Sequence, residues 1–264
     1  MAPFDVCAVN YLNTVPLIWG MLKGPQKDLV RLRFEIPAVC ADVIENGGAH
    51  IGLVPVAEVV RQQLETVPGC GIACIGAVRS ILLVSRVPLR KVRTLAADLS
   101  SRTSVQLARI ILRERYGVEP RFERHRPVLD DMLASCDAAL LIGDAALRLN
   151  VDTLPYECLD LGAEWFQLTQ LPMVFAQWAG KPPLQNAALE HIVNDSYAFG
   201  KAHLSELVEA EFQKRQVTRA LAYEYVTHYI QYELDAQMLK GLDAFISLAG
   251  LEAEAAAPAG GAGR

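Results

Sequence analysis

Short apolar, β-rich runs alternate along the first part of the chain with segments whose apolar residues recur every three to four positions. "DVCAVNY", "PLIWGMLK", "RLRFEIP", "AVCADVIENG" and "IGLVPVAEVV" follow one another in this way, the order expected of a parallel sheet with crossover helices. The pattern predicts an α/β protein. Two further apolar strands follow, "GIACIG" and "SILLVSR". The alternation then starts afresh with strand "TLAAD", helix "SVQLARIILRERYG" ending at Gly117, strand "RFERHR", helix "VLDDMLAS" and strand "AALLIGD". "MVFAQWAG" returns toward the first unit, and the segments after Lys181 all have helical periodicity. One unit is therefore expected to be inserted in another, with residues 1–86 and 179–250 as lobe 1 and residues 87–178 as lobe 2. Residues 251–264, ending in "EAEAAAPAGGAGR", are small and Gly-rich and are expected to form a disordered tail.

Two α/β lobes joined by two crossing strands leave a cleft, and such sheets place ligands at the C-terminal ends of their strands. Four turns fall there. In "YLNTVPL", Asn13 or Thr14 can cap the helix that opens at Pro16, or Asn13 can offer its amide to a ligand. In "DLSSRTSVQLARIIL", Ser100, Ser101, Thr103 and Ser104 crowd the start of an amphipathic helix, an anion-binding arrangement of hydroxyls and exposed N–H groups. Arg102 beside them can pair with a ligand or with an acidic neighbour. "GAVRSILLVSR" puts Ser80 at the start of the strand assigned to the hinge. "LLIGDAAL" lets Asp144 emerge at a sheet edge, to cap the next helix or to face the cleft; Glu58 in "VPVAEVV" is a weaker candidate of the same kind.

Composition narrows the chemistry. The chain has 264 residues, 52% of them hydrophobic, enough for two cores. A net charge of −5 without a basic stripe argues against nucleic acid or an anionic membrane as partner and for a small molecule. No uncharged apolar run approaches the roughly 18 residues of a membrane helix. The start, "MAPFDVCAVN", has Asp5 where an export signal carries basic residues, so a cytoplasmic location is expected. The six cysteines are scattered through apolar segments as reduced core thiols would be, and Cys70 and Cys74 lack the spacing and partners of a zinc site. His50, His125, His191, His203 and His228 form no triad or metal spacing and are expected on the surface or in the core. No nucleotide-binding or nucleophile-elbow motif occurs. Neither metal nor cofactor is expected.

The motifs "YLNTVPL", "IGLVPVAE", "VRSILLVSRVP", "LSSRTSVQLARIIL", "LIGDAAL" and "DLGAEWFQLTQLPMVFAQW", in this order, resemble those of the chorismate dehydratases of the futalosine route to menaquinone. The likeness runs from about Val6 to Trp178 and continues more loosely through the C-terminal helices. It implies a two-lobe fold like that of type II periplasmic binding proteins, with the ligand cleft between the lobes. It also implies a hydro-lyase that removes water from chorismate to give 3-[(1-carboxyvinyl)oxy]benzoate. Carried over by motif position, Asn13 and Ser80 are the catalytic groups, and Tyr11, Pro55, Ser101, Arg102, Thr103, Ser104 and Asp144 bind substrate. The base is either the substrate's own enolpyruvyl carboxylate or Asp144. No obligate protein partner is implied. The sister dihydroxynaphthoate synthases share the fold but begin with a different first turn and carry a catalytic histidine. A non-catalytic cytoplasmic anion sensor is the remaining alternative.

Overall fold

The computed structural model describes residues 2–98, 102–184 and 187–251. The expected tail from residue 252 onward lies outside the described residues, as do Ser100 and Ser101.

β1 (Phe4–Val9) leads through α1 (Val15–Lys23) to β2 (Val30–Glu35), and then through α2 (Pro37–Glu45) to β3 (Ile51–Pro55). Both crossovers return the chain parallel, with β2 on one side of β1 and β3 on the other. Each helix has proline in its first turn, where the missing N–H leaves no bond unmade. The run "IGLVPVAEVV" is not one strand. It stops as a strand at Pro55, and α3 (Val56–Arg61) begins at once.

β4 (Glu65–Cys74) completes the early strands, and β5 (Ile81–Ser85) and β6 (Thr94–Ala97) open a second sheet. α4 (Arg102–Ile111) continues into a π turn and is closed by Gly117, whose φ of +69° suits glycine. β7 (Arg121–Arg124), α5 (Leu129–Ser135), β8 (Ala138–Ile142), α6 (Gly143–Leu147), β9 (Glu157–Asp160) and α7 (Leu161–Thr169) follow. β10 (Met173–Gly180) rejoins the first sheet. The chain then runs through α8 (Ala187–Ala202), α9 (Leu204–Glu211), α10 (Arg219–Glu224), β11 (Gln231–Glu233) and α11 (Ala236–Ala249). β11 interrupts a region whose periodicity is otherwise helical.

The sheets are β11-β4-β10-β3-β1-β2 and β7-β6-β8-β5-β9. Neither is wholly parallel, contrary to the expectation from the alternating pattern. β10 lies antiparallel to both β3 and β4, and β5 antiparallel to β8 and β9. A strand that enters a sheet from the other sheet is not the second strand of a βαβ unit within that sheet, so nothing forces it to run parallel. The chain leaves the first sheet after Cys74 and enters the second at Ile81; it leaves the second after Asp160 and re-enters the first at Met173.

All three tryptophans, Trp19, Trp165 and Trp178, are buried. α1 is seated on α8 through Ser196, whose hydroxyl accepts from Met21 N–H at 3.2 Å and donates to the Leu17 carbonyl at 2.9 Å. Among the described residues no helix is long and apolar enough to cross a membrane.

Candidate active site

Five of the expected residues meet on the wall of one cavity between the sheets. Asn13, Ser80, Ser104, Tyr11 and Pro55 line it, together with Thr14, Pro37, Gly143 and an apolar surround that includes Val9, Leu53, Ile142 and Phe175. The cavity has a free volume of about 60 Å³. Among the described residues that line it there is no carboxylate, lysine, arginine, histidine or cysteine. Its polarity comes from hydroxyls, one amide and main chain. α1, α2 and α4 all start at this wall, where Thr14, Pro37 and Ser104 lie, so the positive ends of three helix dipoles face the space.

Ser80 is held from four directions. Asp160 accepts from the N–H groups of Val78 at 3.0 Å and Arg79 at 2.6 Å while capping α7 through Gly162 and Ala163 N–H at 2.9 and 3.1 Å. Arg79 sits in the left-handed region at φ +66°, and its guanidinium donates to the Leu149 carbonyl at 2.6 Å, just beyond α6. Gly143 N–H donates to the Ser80 carbonyl at 2.8 Å. Last, the Tyr225 hydroxyl donates to Ser80 Oγ at 2.7 Å. A hydroxyl fixed this tightly, 1% exposed, loses no further rotamer entropy when it meets a ligand.

The turn that carries Asn13 is a single 3-10 turn, Leu12–Thr14, between β1 and α1. Neither Asn13 nor Thr14 caps α1 with its side chain; the Thr14 hydroxyl reaches only Asn13 Oδ1, at 3.5 Å. Asp144 does the tying instead. Its carboxylate accepts from Leu12 N–H at 3.0 Å and from Arg215 at 3.1 Å, and it is not among the residues lining the cavity. Burial pushes its carboxyl above the usual range, against the pull of the Leu12 N–H and Arg215. Arg215 also donates to the Asn10 carbonyl at 2.8 Å, to Asn10 Oδ1 at 2.9 Å and to Glu211. Gly143, at φ +58°, leaves room for the Tyr11 ring, three atoms of which would lie 2.9 Å from any Cβ placed there.

Arg102 and Thr103 are likewise turned to structural use. Arg102 donates to Glu58 at 2.5 Å and lies 3.7 Å from Asp42, on the wall of a second cavity with Arg61, Arg109 and Arg124. Thr103 Oγ1 accepts from Ala57 N–H at 3.2 Å, joining the start of α4 to α3. Ser101 lies outside the described residues. Burial pushes the Glu58 carboxyl up, but Arg102 and Arg61 together hold it below the usual carboxylate range. A depressed native pKa stabilises the fold above the unfolded pKa of about 4.3, and that stability is lost as pH falls through the native value. Glu58→Gln should therefore flatten the loss of stability below about pH 5, as followed by urea melts at stepped pH.

Among the described residues, one group of three side chains has metal-ligand geometry: Glu123, His125 and Cys136, with ligand atoms within 4.8 Å of one another. It lies on and beside edge strand β7 and shares no residue with the cavity. All six cysteines are free. Burial raises the thiols of both Cys70 and Cys74.

Of the two residues that sequence reasoning misses, one has a signal. Asp160 stands directly before the periodic "LGAEWFQLT", the position of an N-cap aspartate. Tyr225 has no comparable signal, being one of four tyrosines in "RALAYEYVTHYIQYEL".

Two mixed sheets with a cavity between them and helix N-termini on its wall define the fold of type II periplasmic binding proteins. The solved structures agree. A protein from Archaeoglobus fulgidus superposes with a TM-score of 0.74 at 15% identity, covering 95% of this chain and 98% of that one. The alkanesulfonate-binding protein SsuA from Xanthomonas axonopodis pv. citri, bound to MOPS, gives 0.68 at 13% identity, covering 97% and 95%. The chain belongs to the menaquinone biosynthesis family, whose model matches residues 4–250. It is also 30% identical over 272 aligned residues to the chorismate dehydratase of Thermus thermophilus, covering 95% of this chain and 97% of that protein.

Proposed function

We propose that this protein is a chorismate dehydratase, eliminating water from chorismate to give 3-[(1-carboxyvinyl)oxy]benzoate. The observation that carries the reading is the convergence of Asn13 and Ser80 on one cavity without a charged side chain among its described lining residues. The relative in Thermus thermophilus supports the choice of substrate.

Chorismate needs little machinery. Loss of the ring C3 proton leaves an electron pair that conjugates through the adjacent double bond into the ring carboxylate. The C4–O bond then breaks, the oxygen leaves as water on taking up a proton, and the ring becomes aromatic. The enzyme has to hold a dianion, stabilise charge as it develops and assist the departing oxygen. The N-termini of α2 and α4 and the Ser104 hydroxyl hold carboxylate. Asn13 and Ser80 hydrogen-bond the departing oxygen.

The base is the substrate's enolpyruvyl carboxylate, which lies beside C3. Asp144 is occupied by Leu12 N–H and Arg215. Asp144→Asn should therefore retain turnover within about tenfold of the parent protein, while lowering stability because Arg215 loses a charged partner. A loss of several thousandfold in the folded variant would make Asp144 the base. The function itself is read by incubating the purified protein with chorismate and following the ultraviolet absorbance of the aromatic product; tight binding without product would favour a sensor.

A further inference from the structure

Tyr225 stands immediately after α10, at the start of a π turn spanning Tyr225–Tyr229, a helix irregularity that recurs at functional sites. Its side chain is 1% exposed and is not part of the cavity wall, yet its hydroxyl meets one of the two residues assigned to the chemistry. It donates to Ser80 Oγ at 2.7 Å, and the Asn13 side chain is near enough to the phenol to pull its pKa down against the effect of burial. The segment that brings it there is far along the chain, 145 residues from Ser80.

The polarity of this pair matters. A phenol is a far stronger acid than an aliphatic alcohol, so in a hydrogen bond between them the phenol donates and the serine oxygen accepts. Ser80 has one proton, which is then free to point away from Tyr225, and Ser80 lines the cavity while Tyr225 does not. A hydroxyl that accepts one hydrogen bond also becomes a better donor in the next. Burial pushes the Tyr225 phenol well up, so it remains protonated and keeps donating at neutral pH.

We propose that Tyr225 is a positioning residue for the elimination: its hydroxyl holds Ser80 Oγ in one orientation, with the Ser80 proton turned into the cavity toward the departing C4 oxygen. No proton leaves Tyr225; it acts through hydrogen bonds alone. The proposal rests on the chorismate dehydratase reading.

Tyr225→Phe removes only the hydroxyl. Its kcat with chorismate should fall about 10- to 100-fold with KM within about threefold, because the orientation of Ser80 matters most as the C4–O bond breaks. In the Ser80→Ala background the same change should cost far less, so that the combined loss falls well short of the product of the two single losses. A crystal structure of Tyr225→Phe should show the Ser80 hydroxyl rotated. An active parent protein with a folded Tyr225→Phe variant of unchanged kcat, or with fully multiplicative losses, would overturn this proposal and leave the function intact. A parent protein inactive on chorismate would overturn the function reading, and this proposal with it. Should Tyr225→Phe fail to fold, 2,3-difluorotyrosine placed at position 225 keeps the shape and makes the phenol a stronger donor. The proposal then requires a changed kcat, and an unchanged one contradicts it.

Discussion

Ser80→Ala is expected to lower kcat for chorismate about 10³-fold while leaving the fold intact, and Asn13→Ala to do nearly the same. The magnitude follows from what surrounds them. With no charged side chain among the described residues on the cavity wall, the departing oxygen has few other donors to fall back on. The segment that carries Ser80 is also firmly held, through Asp160, Arg79 and Gly143, and its hydroxyl through Tyr225. Truncation to alanine removes Oγ but none of the main-chain bonds that shape the segment. Thermal melts of the variant should stay cooperative and fall by only a few degrees, since the buried Tyr225 hydroxyl alone loses its acceptor, while steady-state turnover collapses. A Ser80→Ala variant that retained a tenth or more of the parent kcat would remove Ser80 from the mechanism.

Asp160→Ala should produce the largest loss of stability, about 3 kcal/mol, or roughly 6 to 10 °C in Tm for a chain of this size. One carboxylate accepts from the N–H groups of Val78, Arg79, Gly162 and Ala163, tying the segment that enters the second sheet to the start of α7. Without it, four donors lose their acceptor and Arg79 loses part of what holds it at positive φ. Because Ser80 follows directly, turnover should fall as well, even at temperatures where the variant is folded. Asp160→Asn keeps one carbonyl oxygen, so its loss of stability should be about half. Equal melting temperatures for Asp160→Ala and the parent, in differential scanning calorimetry, would show that the segment is held by other means.

The alternation of strand and helix patterns was legible because each βα unit buries its own face locally, and β1, α1, β2 and α2 fall within a few residues of the runs that predict them. Strand direction was not legible, since β10 pairs antiparallel with β3 and β4 only after a return from the other sheet. The β3–α3 boundary was hidden inside a nearly continuous apolar run, which has no period to divide it. Asn13, at a strand–helix turn, and Ser80, just before a strand, were legible as candidates from their polar position, and the fold brings both to the wall of one cavity. Arg102, Thr103 and Asp144 were plausible on the same ground but are used to join elements: Arg102 to Glu58, Thr103 to Ala57, Asp144 to Leu12 and Arg215. Such choices depend on which neighbour the fold delivers. Tyr225 shows this most plainly. Tyr223, two residues earlier, is exposed, and the hydroxyl of Tyr232 is buried without a hydrogen-bond partner, yet nothing local to "AYEYVTHYIQY" separates the three.

The most direct test of the account is to incubate the purified protein in parallel with chorismate and with the cyclisation substrate of the sister synthase, a dehypoxanthine futalosine derivative, and to quantify substrate and product by chromatography. The account predicts that chorismate is consumed one for one with formation of 3-[(1-carboxyvinyl)oxy]benzoate, that Ser80→Ala slows this about 10³-fold, and that the second substrate is untouched. Chorismate bound but recovered unchanged, or turnover of the second substrate alone, would contradict it.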